Sequence, residues 1–171
     1  IFAFSRFYKN SSFYDAFWSV IPPALALYWV FYHTAQDINM TRAYLVTGLV
    51  IWWGARLTLN WAGHWHGLTE EDWRYQPIRD KAGKHELLAD FGSTHLFPTL
   101  IVFAAMLPVY AVTNLSTAPL SVLDWLALIV TAGAILIETI ADLQLHKFNA
   151  TKKSGEYINT GLWKYSRHPN Y

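Results

Sequence analysis

The stretch FGSTHLFPTLIVFAAMLPVYAVTN, Phe91–Asn114, decides the fold class. It opens a run of 33 residues between Asp90 and Asp124 that holds no Asp, Glu, Lys or Arg. A helix needs about 20 mostly apolar residues to cross the hydrocarbon core of a bilayer, and this run is longer. On its N-terminal side, 21 residues without such a charge lie between Asp15 and Asp37. Tyr44–Ala62 also qualifies if Arg56 is tolerated within it. On the C-terminal side, WLALIVTAGAILIETIADLQL, Trp125–Leu145, qualifies with Glu138 and Asp142 inside it. Together these runs predict an all-α, multi-pass transmembrane bundle of about four helices, near 14–35, 42–63, 92–114 and 121–148. They show little of the amphipathic alternation that surface helices of a soluble bundle carry. Pro22-Pro23 is expected to kink the first helix, and Pro98 and Pro108 interrupt the third. Membrane helices tolerate such prolines because neighbouring groups re-satisfy the freed carbonyls.

The composition agrees. Of 171 residues, 53% are hydrophobic, 17% aromatic and 15% charged, against about 25% charged in soluble domains. Disordered, collagen-like and nucleic-acid-binding chains are excluded. The net charge of +1 steers no polyanion toward the molecule, so no nucleic-acid partner is expected. With no Cys, disulfides, thiolate zinc sites and Cys nucleophiles are ruled out. The length suits one membrane domain over 1–171, with no internal repeat. Ile1 is not a start residue and no signal peptide is visible, so a processed chain or a fragment is expected.

Lys and Arg orient the bundle. Arg6 and Lys9, then Arg74, Arg79, Lys81 and Lys84, then Lys147, Lys152, Lys153, Lys164 and Arg167 all fall on one side. Arg42 alone falls on the other, with Arg56 inside a helix. The bias puts both termini and the polar loop from His64 to Asp90 in the cytoplasm. The expected location is a bacterial inner membrane or the endoplasmic reticulum. Asn-x-Ser/Thr occurs at Asn10, Asn39, Asn114 and Asn149, and the cytoplasmic placement of Asn10 and Asn149 makes those matches chance.

This topology gathers Asp15, Arg56, Asn60, His95, Glu138 and Asp142 in one leaflet. Intramembrane charges face the bundle interior, pair, or line a site. Asp15 and Arg56 suit pairing between antiparallel neighbours, as a structural ion pair or as part of a site. Glu138, Asp142 and His146, spaced i, i+4, i+8, share one helical face. They suit a polar cofactor, acid–base work, or a metal with His64 and His66. The metal reading is disfavoured, because neither H-E-x-x-H nor a His-rich repeat is present. No G-x-G-x-x-G, G-x-x-x-x-G-K-[ST] or G-x-S-x-G occurs, so Rossmann, P-loop and hydrolase-elbow sites are unsupported.

The tail, GEYINTGLWKYSRHPNY (Gly155–Tyr171), offers chemistry for an anion at the cytoplasmic interface. Arg167 can clamp a phosphate bidentately, His168 can switch charge, and Asn170 presents both a donor and an acceptor. From spacing alone, a basic membrane-surface tail is the favoured reading.

GLWKYSRHPNY, 161–171, resembles the signature of the steroid 5α-reductase-like membrane proteins, in their uncharacterised bacterial and algal branch. Three further segments agree: SFYDAFWSVIP at 12–22, WGARLTLN at 53–60, and ETIADLQ at 138–144. The wider superfamily includes NADPH-dependent sterol reductases and isoprenylcysteine carboxyl methyltransferases. The resemblance implies hydride transfer from NADPH to a C=C bond of a steroid-like or other lipid enone. It places Glu138 and Asp142 at an Asn-x-x-x-Asp pair that contacts the cofactor, with Glu departing from Asn at the first position. It places Tyr157, Arg167, His168 and Asn170 at cofactor contacts, and His146 and Tyr171 join that set. Asp15, Trp18 and Arg56 are the expected substrate-pocket residues. Tyr75, Tyr157 and Asp15 are candidates for the acid that polarises the carbonyl. In the family the run continues Phe-Gly-Glu, so activity is expected of a longer parent. Two alternatives stay open: an S-adenosylmethionine-dependent methyltransferase acting on a prenyl or lipid carboxylate, and a non-catalytic membrane accessory subunit.

Overall fold

The apolar runs form helices where the sequence places them. In the computed structural model, which describes residues 1–32, 37–65, 67–68 and 71–170, no strand occurs among the described residues. The helices α2 (Phe13–Phe31), α3 (Met40–Gly63), α6 (Phe97–Asn114) and α7 (Val122–Asn149) correspond to the four expected runs. The expected end of the first run, 33–36, lies outside the described residues. Two helical stretches, Tyr75–Asn114 and Val122–Asn149, are long and apolar enough to cross a membrane. The helices α2 and α3 are 19 and 24 residues long. Asp15, two Trp, two Tyr and Pro22-Pro23 lower the mean hydropathy of α2, and Arg42, Arg56, Asn60 and three Trp lower that of α3.

The chain forms two compact units, Ile1–Pro119 and Leu120–Tyr171. In the first, α2 packs on α3 and α6. Gly54 makes the α2–α3 approach possible: a Cβ there would lie 2.6 Å from the Ser19 carbonyl oxygen and 2.5 Å from the Pro23 ring. One turn on, the Ser19 and Thr58 hydroxyls share a hydrogen bond of 2.9 Å. Asn39 caps α3 by accepting from the Arg42 backbone N–H at 3.1 Å. The Arg42 guanidinium then binds the chain after α6, donating to Ser116 Oγ at 2.6 Å and to the Pro119 carbonyl at 2.8 Å. In the second unit, the Asp124 carboxylate accepts from the Ser121 backbone N–H at 2.7 Å, which fixes the start of α7.

Two segments differ from the sequence reading. Residues before the first apolar run form a short helix, α1 (Phe2–Tyr8), ended by Lys9 in the left-handed region at φ 51°. The supposed polar loop from His64 to Asp90 contains α4 (Tyr75–Ala82) and α5 (Glu86–Ala89), joined by a 3₁₀ turn at Gly83–His85. It then runs through a π-helical stretch, Asp90–Leu96, into α6. Pro98 lacks the N–H that Thr94 would accept from, and its ring crowds that carbonyl. A widened turn just before it accommodates both. The segment was hidden because its helices are held by ion pairs rather than by an apolar stripe.

Candidate functional site

In the second unit hydrogen bonds lay the tail along the end of α7. The Trp163 indole donates to the Ala141 carbonyl at 3.0 Å. The Leu162 backbone N–H donates to Gln144 Oε1 at 2.9 Å. The Asn170 amide donates to Asp142 Oδ1 at 2.9 Å. The turn into this arrangement needs Gly161, whose φ is 60° and whose missing Cβ would lie 2.5 Å from Gln144 Oε1.

The tail borders an open cleft of about 610 Å³ lined by Tyr157, Ile158, Asn159, Trp163, Lys164 and Arg167. Two of the expected cofactor residues, Tyr157 and Arg167, therefore face one space. Asp142 and Asn170 meet directly beside the Trp163 anchor. The Asn170 Oδ1 atom is buried and takes no donor among the described residues. Glu138 is half-buried and His146 exposed, four residues either side of Asp142 on α7. His168 is exposed, and its backbone N–H donates to Ser166 Oγ at 3.2 Å. Tyr171 lies outside the described residues. Lys164 was not singled out from the sequence; its place in the family-like run beside Arg167 was the available signal.

The first unit holds a separate polar cluster. The sequence reading offers Arg56 as the partner of Asp15, but the carboxylate is bonded by groups from the segment after α3. Tyr75 donates its hydroxyl proton to Asp15 Oδ1 at 2.8 Å, and Arg74 donates to Oδ2 at 3.2 Å. Two of the three acid candidates, Tyr75 and Asp15, thus touch each other. Asp72 grips the same guanidinium, with Nε to Oδ1 at 2.8 Å and a terminal nitrogen to Oδ2 at 2.9 Å. This bidentate pair holds the Asp72 carboxyl below the usual carboxylate range and pushes the Arg74 guanidinium further up.

The cluster is stitched to the start of α2. The Ser12 hydroxyl accepts from the Asp72 backbone N–H at 2.8 Å, and Glu71 Oε1 accepts from the Ser11 backbone N–H at 2.7 Å. Glu71 also pairs with Arg79. A cavity of about 200 Å³ opens here, with Ser12, Asp15, Trp61, His64 and Trp65 in its walls. Trp18 and Arg56 are not among its lining residues. Trp18 instead meets the Trp53 ring of α3 at 5.9 Å, and Arg56 is half-buried on that helix. His66 lies outside the described residues. Among the described residues, no three His, Asp or Glu side chains converge as a metal site requires.

These features define a helical protein with two membrane-length helices and a polar tail bonded back onto the second. The chain belongs to the family described as "Protein of unknown function (DUF1295)", which matches it over residues 1–171. It is also similar to the uncharacterized protein C594.04c of Schizosaccharomyces pombe, 28% identical over 187 residues. That match covers 95% of this chain and 54% of the relative, so the chain spans about half the length of the curated relative it matches. No solved structure matches it.

Proposed function

We propose that the chain is part of a multi-pass membrane reductase that uses NADPH to reduce a C=C bond in an apolar enone, steroid-like or another lipid. In this reading α2 and α3 also cross the bilayer, and the tail lies on the cytoplasmic side of a bacterial inner membrane or the endoplasmic reticulum. The observation that carries it is the Asn170–Asp142 hydrogen bond of 2.9 Å, which joins the family-like tail to the helix position that the resemblance assigns to the cofactor.

The residues present fit such a group. Lys164 and Arg167 line the cleft and suit anionic phosphates. The buried Asn170 Oδ1 can accept from a ribose hydroxyl or a carboxamide. Tyr157, on the cleft wall, offers a ring face and a hydroxyl. When bound, NADPH supplies the hydride. Arg167 and Lys164 hold charge, Asp142 orients Asn170, and Trp163 fixes the cleft wall to α7.

The test is thermal unfolding of the full-length protein in detergent with NADPH or S-adenosylmethionine. A ligand at 100 times its dissociation constant stabilises by about 2.7 kcal/mol. Stabilisation by NADPH that is lost in Arg167→Ala is the expected result. Stabilisation by S-adenosylmethionine alone moves the protein to the methyltransferases, and a response to neither favours the accessory subunit.

A further inference from the structure

We infer that α1 and α5 form a platform seated in the headgroup layer of the bilayer; this rests on the membrane reading above. The sequence of α1 is FAFSRFY, and its aromatic side chains are not buried in the unit. Phe7 is 79% exposed, Phe4 46% and Tyr8 39%. They are linked ring to ring into the rest of the unit. Phe7 meets Tyr8 at 5.0 Å, and Tyr8 meets Phe13 at 6.0 Å. Phe13 meets Trp65 at 5.1 Å, and Trp65 meets Trp61 at 4.8 Å.

Phe13 is the first residue of α2, Trp61 lies in the last turn of α3, and Trp65 follows that helix. The ring chain therefore marks one end of two adjacent helices, the level at which a span leaves the hydrocarbon. Aromatic residues with a polar tip or edge favour that level. Lys9, left-handed at φ 51°, ends α1 before α2 begins, so α1 does not prolong the span.

A second exposed apolar patch lies on α5. Arg6 bonds Glu86 at 2.8 Å, and the Phe2 and Phe91 rings meet at 5.1 Å. These contacts tie α1 to the first residue of α5 and to Phe91 just beyond that helix. They leave Leu87 and Leu88 of α5 outward, the latter 69% exposed. Exposed apolar side chains beside an exposed ammonium, Lys9, match a surface of acyl chains below and phosphates above. A lipid interface satisfies both.

The chain has no Cys, so an introduced cysteine is a unique label site within these residues. Nitroxides are placed at Phe7→Cys, Leu88→Cys and Ala105→Cys, the last exposed at mid-α6 and serving as the span reference. The full-length protein is reconstituted into phosphatidylcholine–phosphatidylglycerol vesicles. Depth is read from collision with oxygen against a water-soluble nickel chelate. Phe7 and Leu88 are expected to fall between Ala105 and a label at the tail position Lys153→Cys. Either label reading as aqueous as Lys153, or as deep as Ala105, overturns the platform while leaving the spans intact. An aqueous Ala105 overturns the membrane reading and the platform with it.

Discussion

Replacing Gly54 by Ala tests the packing that sets α3 against α2. The new Cβ would lie 2.6 Å from the Ser19 carbonyl oxygen and 2.5 Å from the Pro23 ring. Neither group is the free end of a flexible chain, so the helices must separate. Overpacking of this kind costs about 1–3 kcal/mol, and two contacts this short put the cost near the upper end. Removing Gly from a helix interior returns about 1 kcal/mol of propensity. The net loss is about 2 kcal/mol, or roughly 4–8 °C in melting temperature at 2–4 °C per kcal/mol. Gly48→Ala, on the same helix with nothing within 4 Å of its Cβ, is the control and should hold or raise the melting temperature. Thermal unfolding of both variants in detergent decides. Equal behaviour of the two would refute the close approach at Gly54.

Three other outcomes follow from the geometry. Gly161→Ala forces a Cβ into a φ of 60° and against Gln144, costing about 1–2 kcal/mol from backbone strain alone; trypsin should then cut after Lys164 faster than in the parent. Asp142→Ala removes the acceptor of the Asn170 amide, a charge-assisted bond worth about 1.5–3 kcal/mol; NADPH affinity should drop about tenfold or more by titration, at 1.4 kcal/mol per tenfold. Asp72 has its carboxyl lowered by the Arg74 hydrogen bond. Its stabilisation is full above the unfolded carboxyl value of about 3.9 and is lost as pH falls through the lower folded value. Asp72→Asn should therefore flatten the melting-temperature profile below about pH 4 and leave its slope above about pH 5 unchanged.

The helices over the four apolar runs were legible because their length and scarcity of charge specify them, with Arg56 in one and Glu138 and Asp142 in another tolerated. Asp142 was legible as a candidate from the face of α7 it shares with Glu138 and His146, and it meets Asn170, a second candidate from the tail. The cluster around Asp15 was not. Its partners Arg74 and Tyr75 lie 59 and 60 residues away in a segment with no apolar period. The charge-dense run from Glu71 to Asp80 reads as solvated loop until the fold brings it to the start of α2. Likewise α1 is too short for periodicity to reveal. Ring contacts with Phe13 and His95 and the Arg6–Glu86 pair hold it.

Turnover by the full-length protein tests the proposed hydride transfer from NADPH to a lipid enone most directly. The protein is incorporated in lipid nanodiscs with NADPH and a panel of apolar enones, and both nicotinamide oxidation and the saturated ketone are followed. The expected result is one ketone formed per NADPH consumed, abolished or sharply slowed in Arg167→Ala. Methyl transfer from S-adenosylmethionine to a prenyl carboxylate, with no NADPH consumed by any enone, would contradict it.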